Sequence, residues 1–196
     1  MINSDIVAAM TPVIMVFQRI GISYYISGSV ASSTYGLARA TLDVDVVADM
    51  KASHVAEFVS RLKADYYADP DVIHQAIVSG SSFNLIHLQT MIKIDVFILR
   101  NQAYDQRAFE RKTVDHLEEG SSAAEFCFAT PEDVILNKIL WYRMGNQISE
   151  KQWQDIIGVI KVQNKKLDKT YLLQWADSLG IRDLLNKAVS ESEILW

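Results

Sequence analysis

With 196 residues, the chain has room for one domain, or for one domain and a small helical appendage. Nearly half of it is hydrophobic, enough for a sizeable core, and a net charge of −5 argues against broad non-specific binding to nucleic acid. The single cysteine, Cys127, excludes an internal disulfide. No uncharged run approaches the roughly 18 residues of a membrane span, and no basic region precedes the first apolar run, so a cytoplasmic protein with no membrane partner is expected.

In chain order, residues 4–20 have helical spacing, with Val13, Ile14, Phe17 and Ile20 on the core face. Ser4 or Asp5 can cap its start. Thr11-Pro12 can be a second cap followed by Pro, which predicts one kinked helix or two short ones. Residues 24–27 read as a strand and 29–37 as a helix. Gly28-Ser29 stands between them: Gly28 permits close backbone approach, and Ser29 sits where the free N–H groups of a helix start bind phosphate. An ordinary strand-to-helix turn with Ser as cap is the alternative. Arg39 is suited to phosphate, or to pairing with Asp43 or Asp45. Thr41 reads as a turn residue.

Asp43-Val44-Asp45-Val46 alternates as a strand does, so both acids share one face and both valines the other. Two carboxylates so close repel each other, and each is harder to ionise. A divalent cation removes the conflict: Mg²⁺ (or Mn²⁺) takes carboxylate oxygens together with substrate phosphates.

Residues 51–64 read as a surface helix, 65–69 as a short strand or turn, and Asp69-Pro70 opens another helix to about Val78. Residues 82–88 and 91–99 read as a hairpin joined by Gln89-Thr90, although that pair is not a preferred two-residue turn. Asp95 lies among apolar neighbours in the second of these strands. Lys93 shares its face, to pair with the carboxylate or to neutralise substrate phosphate. His87 reads as a satisfied or exposed histidine, with the Asp95 side as the alternative. Three acids brought to one sheet suit two-metal phosphoryl chemistry.

The charges of residues 102–112 read as a solvated helix face. Strands at 113–117 and 124–128 flank an acidic loop, Glu118-Glu119-Gly120, expected to be exposed. Thr130-Pro131-Glu132-Asp133 is a capping box that opens a helix to about Met144. Lys138 interrupts its apolar run, as a lysine snorkelling to a core edge does. Residues 149–162, 169–179 and 182–189 are further helices. The expected fold is α/β: a small mixed sheet with flanking helices over residues 1–128, and a C-terminal helical bundle over 129–196 packed on it. The three Asp then line one edge of a cleft whose opposite wall is helical.

Gly28-Ser29, thirteen further residues, Asp43-Val44-Asp45-Val46 and a later apolar strand carrying Asp95 resemble the signature of the nucleotidyltransferase superfamily. Arg39-Ala40-Thr41-Leu42-Asp43-Val44-Asp45, and the stretch from Ala129 to Lys138, resemble the bacterial group around the AbiEii-type toxins. The likeness spans roughly residues 20–160. It implies transfer of a nucleoside monophosphate from a nucleoside triphosphate to a hydroxyl acceptor. Asp43, Asp45 and Asp95 would be the catalytic metal ligands, with Asp95 helping to deprotonate the acceptor. Gly28, Ser29, Arg39, Lys93 and Lys138 would bind the nucleotide. The acceptor stays open between a small molecule, tRNA and a protein. Asp155 resembles the second acid of that group's Lys-Asp-x-x-Asp-Ile segment, with Gln152 in place of the first. Two other readings are a toxin–antitoxin component with a partner protein, and a nucleotide-binding regulatory protein without transfer.

Overall fold

The computed structural model describes residues 3–116 and 125–194; the Glu118-Glu119-Gly120 stretch and Trp196 lie outside the described residues. The chain runs α1 (Ser4–Arg19), β1 (Tyr24–Ile26), α2 (Gly28–Tyr35) and β2 (Asp43–Ala48). A short 3-10 turn (Ala52–His54) leads into α3 (Val55–Leu62), β3 (Tyr66–Tyr67), α4 (Pro70–Ser79), β4 (Ser82–His87) and β5 (Lys93–Ile98). Then come α5 (Ala103–Arg111), β6 (Thr113–His116), β7 (Glu125–Phe128), α6 (Pro131–Met144), α7 (Glu150–Gln163), α8 (Lys169–Ser178) and α9 (Arg182–Glu191). The strands form one mixed sheet in the order β3-β4-β5-β2-β1-β7-β6. The α/β expectation holds.

One face of the sheet is a dry core. Val44, Val46, Ile94 and Val96 are fully buried there, and each such side chain stabilises the fold by about 1.5–3 kcal/mol. α1 and α3 cover it. Phe17 of α1 stacks on Phe58 of α3 at 5.2 Å, and Phe58 meets Phe83 of β4 edge-on at 6.3 Å. α1 is a single helix with Pro12 inside it, and its cap is Asn3, whose side chain accepts from the Asp5 N–H. Pro12 deletes one backbone donor, but Ala9, Met10, Val13 and Ile14 bury the same stripe on both sides of it.

Two local expectations change with register. The β4–β5 connection is longer than a two-residue turn, because Met91 takes a left-handed conformation at φ 58° and its N–H returns to the His87 carbonyl. In the antiparallel ladder Asn84, not His87, stands opposite Asp95. His87 therefore points to the other face, buried against Tyr66 and hydrogen-bonded to Thr90.

The charges of α5 are not all solvated. Arg111 pairs with Glu132 at 3.0 Å and lies 3.8 Å over the Tyr171 ring, tying α5 to α6 and α8. Thr130 caps α6 as expected, accepting from the Asp133 N–H. α2 ends against α7. Gly36 makes this possible, since a Cβ there would lie 2.9 Å from the Val159 nitrogen, and Gln163 donates to the Tyr35 carbonyl at 2.7 Å. Among the described residues no helix is long and apolar enough to cross a membrane.

Candidate active site

β2 and β5 are parallel neighbours, and their register sets Asp45 directly beside Asp95 and Asp43 beside Lys93. Adjacent strands lie about 4.8 Å apart, so acids distant in sequence become nearest neighbours in space. All four side chains share the face opposite the dry core. The next row along that face is apolar, Val47 beside Phe97.

β1 delivers the turn to this row. The Ser27 N–H donates to the Asp45 carbonyl at 2.8 Å. Gly28 then takes φ +59°, and a Cβ added there would sit 1.7 Å from Asp45 Oδ2. The carboxylate packs directly on the bare glycine. Ser29 follows at the start of α2, and its hydroxyl accepts from Arg39 Nη2 at 2.7 Å.

Arg39 pairs with neither Asp43 nor Asp45. Its Nε and Nη2 donate to the two oxygens of Asp155, at 2.8 and 2.9 Å. Lys138 donates to Asp155 Oδ2 at 2.8 Å, and its side chain is only 8% exposed, so it does not snorkel to water. One carboxylate on α7 thus holds two cations, one from the loop after α2 and one from α6. In the sequence Asp155 stands out only through its resemblance to the AbiEii-type segment, yet its neighbours carry a signal: an acid flanked by Trp153 and the apolar pair Ile156-Ile157 is placed for burial and then needs a charged partner.

Burial, then the charges of Asp43 and Asp95, push the Asp45 carboxyl up to about 6, against partial relief from Lys138 and Lys93. The Lys93 ammonium bonds Asp95 Oδ2 at 2.7 Å, and that bond raises its pKa. Thr41 donates a short hydrogen bond to Asp43 Oδ1, a closer involvement than a plain turn residue. Among the described residues no group of three or more His, Cys, Asp or Glu side chains converges to hold a metal ion. The donor chemistry nonetheless suits Mg²⁺ or Mn²⁺. Hard carboxylates share one face, and Asp45 is raised by burial and then by the charges of its two neighbours, which a divalent cation would offset.

The raised Asp45 carboxyl has a consequence for stability. Its folded pKa of about 6 lies above the ordinary 3.8, so the fold holds this proton more tightly than the unfolded chain does. The contribution is fully present below about pH 4 and is lost as pH rises through about 6. In chelator, Asp45→Asn is expected to be more stable than wild type by roughly 1–3 kcal/mol near pH 7.5, with no such gain near pH 4. Urea unfolding at the two pH values reads this directly, and an equal difference at both would contradict it.

No protein-family profile and no curated sequence matches this chain. Solved structures do resemble it. ANT(2'')-Ia, in complex with adenylyl-2''-tobramycin, matches with TM-score 0.55 at 10% identity, over 90% of this chain and 98% of that one. The solution structure of the same antibiotic-resistance factor gives 0.51 at 10% identity, over 98% and 97%. An antigenic nucleotidyltransferase-like protein from Paracoccidioides brasiliensis gives 0.52 at 18% identity, over 96% and 94%. At these identities the likeness is one of fold, and the chain has a nucleotidyltransferase-like α/β fold.

Proposed function

We propose that the protein transfers a nucleoside monophosphate from a nucleoside triphosphate to a hydroxyl acceptor, using Mg²⁺ or Mn²⁺ held by Asp43, Asp45 and Asp95. The observation that carries this is the parallel register of Asp45 with Asp95, with Asp43 on the same face and Asp45 packed on Gly28 at the start of α2. When bound, the divalent cations neutralise the triphosphate and the developing charge of the transition state.

The protein's own groups do the remaining work. Ser29 and Arg39, already hydrogen-bonded to each other, and Lys138 beside them receive the triphosphate at the α2 end. Lys93 exchanges its bond to Asp95 for one to phosphate, which frees Asp95 to accept the proton of the incoming hydroxyl. That oxygen forms its bond to the α-phosphorus as the bond to the β-phosphate oxygen breaks, and pyrophosphate leaves with the electron pair.

Small-molecule, tRNA and protein hydroxyls all suit these three aspartates. The AbiEii-type likeness of residues 39–45 and 129–138 supports tRNA or a partner protein, as in a toxin–antitoxin pair. The fold shared with ANT(2'')-Ia, solved with an adenylylated tobramycin, supports a small molecule. Incubation of the three acceptor classes with α-labelled nucleotide separates them by where the label arrives.

The site itself is tested by calorimetric titration of the four nucleoside triphosphates with Mg²⁺. Wild type is expected to bind at least one of them. Asp43→Ala/Asp45→Ala is expected to lose about a hundredfold in affinity, since metal contacts of this kind supply several kcal/mol. Asp95→Ala should bind but fail to transfer. Unchanged turnover in that variant would remove Asp95 from the mechanism, and no binding to wild type would remove the proposal.

A further inference from the structure

Trp141 lies on α6 three residues beyond Lys138, so the two side chains share one helix face. Lys138 reaches the Asp155 cluster, while the indole of Trp141 extends over the end of β5. It meets Phe97 edge-on, with ring centroids 5.8 Å apart and an interplanar angle of 63°. Phe97 stands two residues past Asp95 on the same face, about 7 Å along the strand. The apolar row of Val47 and Phe97 therefore begins where the row of Asp45 and Asp95 ends.

The exposure of this indole is unlike that of its described counterparts. Trp153 is 4% exposed, stacks on Tyr142 and donates its N–H to Glu191. Trp175 packs between Tyr104 and Tyr171. Trp141 is 49% exposed. Its ring contact with Phe97 orients it, and about half of its surface is left open against the row that follows Asp45 and Asp95. A large apolar ring is ordinarily buried or partnered. One held half in water against Phe97, whose row follows that of Asp45 and Asp95 on the same face, is placed for a ligand that is charged at one end and flat at the other.

We propose that Trp141, backed by Phe97, is the stacking platform for the base of the bound nucleoside triphosphate. This rests on the reading of the acid row as a triphosphate site. The order along the molecule fits the ligand. Lys138 and Arg39 take the β- and γ-phosphates, the α-phosphate lies at Asp45 and Asp95, and the base lies one ribose further on, over Phe97 and against the indole. Stacking accepts any base, because every base has a π-face. The site then binds several nucleoside triphosphates with a modest preference set by ring size.

The test compares wild type, Trp141→Ala and Trp141→Phe by calorimetry with Mg²⁺, using ATP, GTP, CTP and UTP and, separately, inorganic tripolyphosphate. Trp141→Ala is expected to weaken binding of the nucleotides about tenfold to a hundredfold. Trp141→Phe should recover most of that loss, and tripolyphosphate should bind all three proteins alike. Nucleotides should also quench the part of the tryptophan fluorescence that Trp141 contributes, so the quench should be larger in wild type than in Trp141→Phe, which keeps the other three tryptophans; tripolyphosphate should quench neither. If Trp141→Ala binds nucleotides as wild type does, the platform is overturned and the triphosphate site stands. An equal loss of nucleotide and tripolyphosphate also overturns it, by making Trp141 structural. If wild type binds neither ligand, both readings fall.

Discussion

Asp155→Ala is expected to lower the unfolding free energy by about 3–5 kcal/mol, the cost of stranding a buried cation. The cation is Lys138, whose bond to Asp155 is 2.8 Å long and almost wholly out of water. Arg39 is about a third exposed and can turn to solvent, so its share of the loss is small. Adding Lys138→Met should recover most of the stability, because it removes the stranded charge. It should not recover nucleotide affinity if Lys138 grips phosphate.

The pH dependence has a definite sign. Burial by itself would raise the Asp155 carboxyl, but the Arg39 hydrogen bond and the Lys138 charge more than reverse this, and its pKa lies below the ordinary carboxylate value. A depressed carboxylate stabilises the fold above its unfolded pKa and loses that contribution as pH falls through the folded one. The stability gap between wild type and Asp155→Asn should therefore be full at neutral pH and close below about pH 4. Urea unfolding across this range measures it. A gap under about 1 kcal/mol at neutral pH would mean that Asp155 does not anchor the two cations.

Gly28→Ala is the second large effect. The added methyl would fall 1.7 Å from Asp45 Oδ2 and 2.8 Å from its Cβ, in a backbone conformation with φ +59° that L side chains rarely adopt. The left-handed conformation costs about 1–2 kcal/mol for a residue other than glycine, and forced overpacking about 1–3. A loss of roughly 2–4 kcal/mol is expected, together with loss of Mg²⁺-dependent nucleotide binding, since Asp45 must move. A variant within about 0.5 kcal/mol of wild type that still binds would show that the turn can shift without cost and that the glycine is not required by the carboxylate.

These two variants probe different levels of organisation. Gly28 and Asp45 are brought together by one antiparallel pair, β1 with β2, whose strands are joined by α2 and a short loop. Asp155 joins the loop after α2 to α6 and α7 across a long separation in sequence. The first is a local device for presenting a carboxylate. The second holds two helices and a loop in the relative positions that the cations of the site require.

What was legible in the sequence was whatever depends on neighbours along the chain. The alternation of Asp43-Val44-Asp45-Val46 assigned two acids to one face because side chains reverse direction at every strand residue. The Thr130 cap that opens α6 follows an equally local rule. Tertiary structure alone decided the rest. It paired Arg39 with Asp155 instead of Asp43 or Asp45, turned His87 to the far face by the register of β4, and left Trp141 open over Phe97 although its run reads as core. Face and cap are set by the geometry of one strand or one turn. Charge pairing, register and exposure depend on which elements pack together, and that is decided by burial summed over the whole chain.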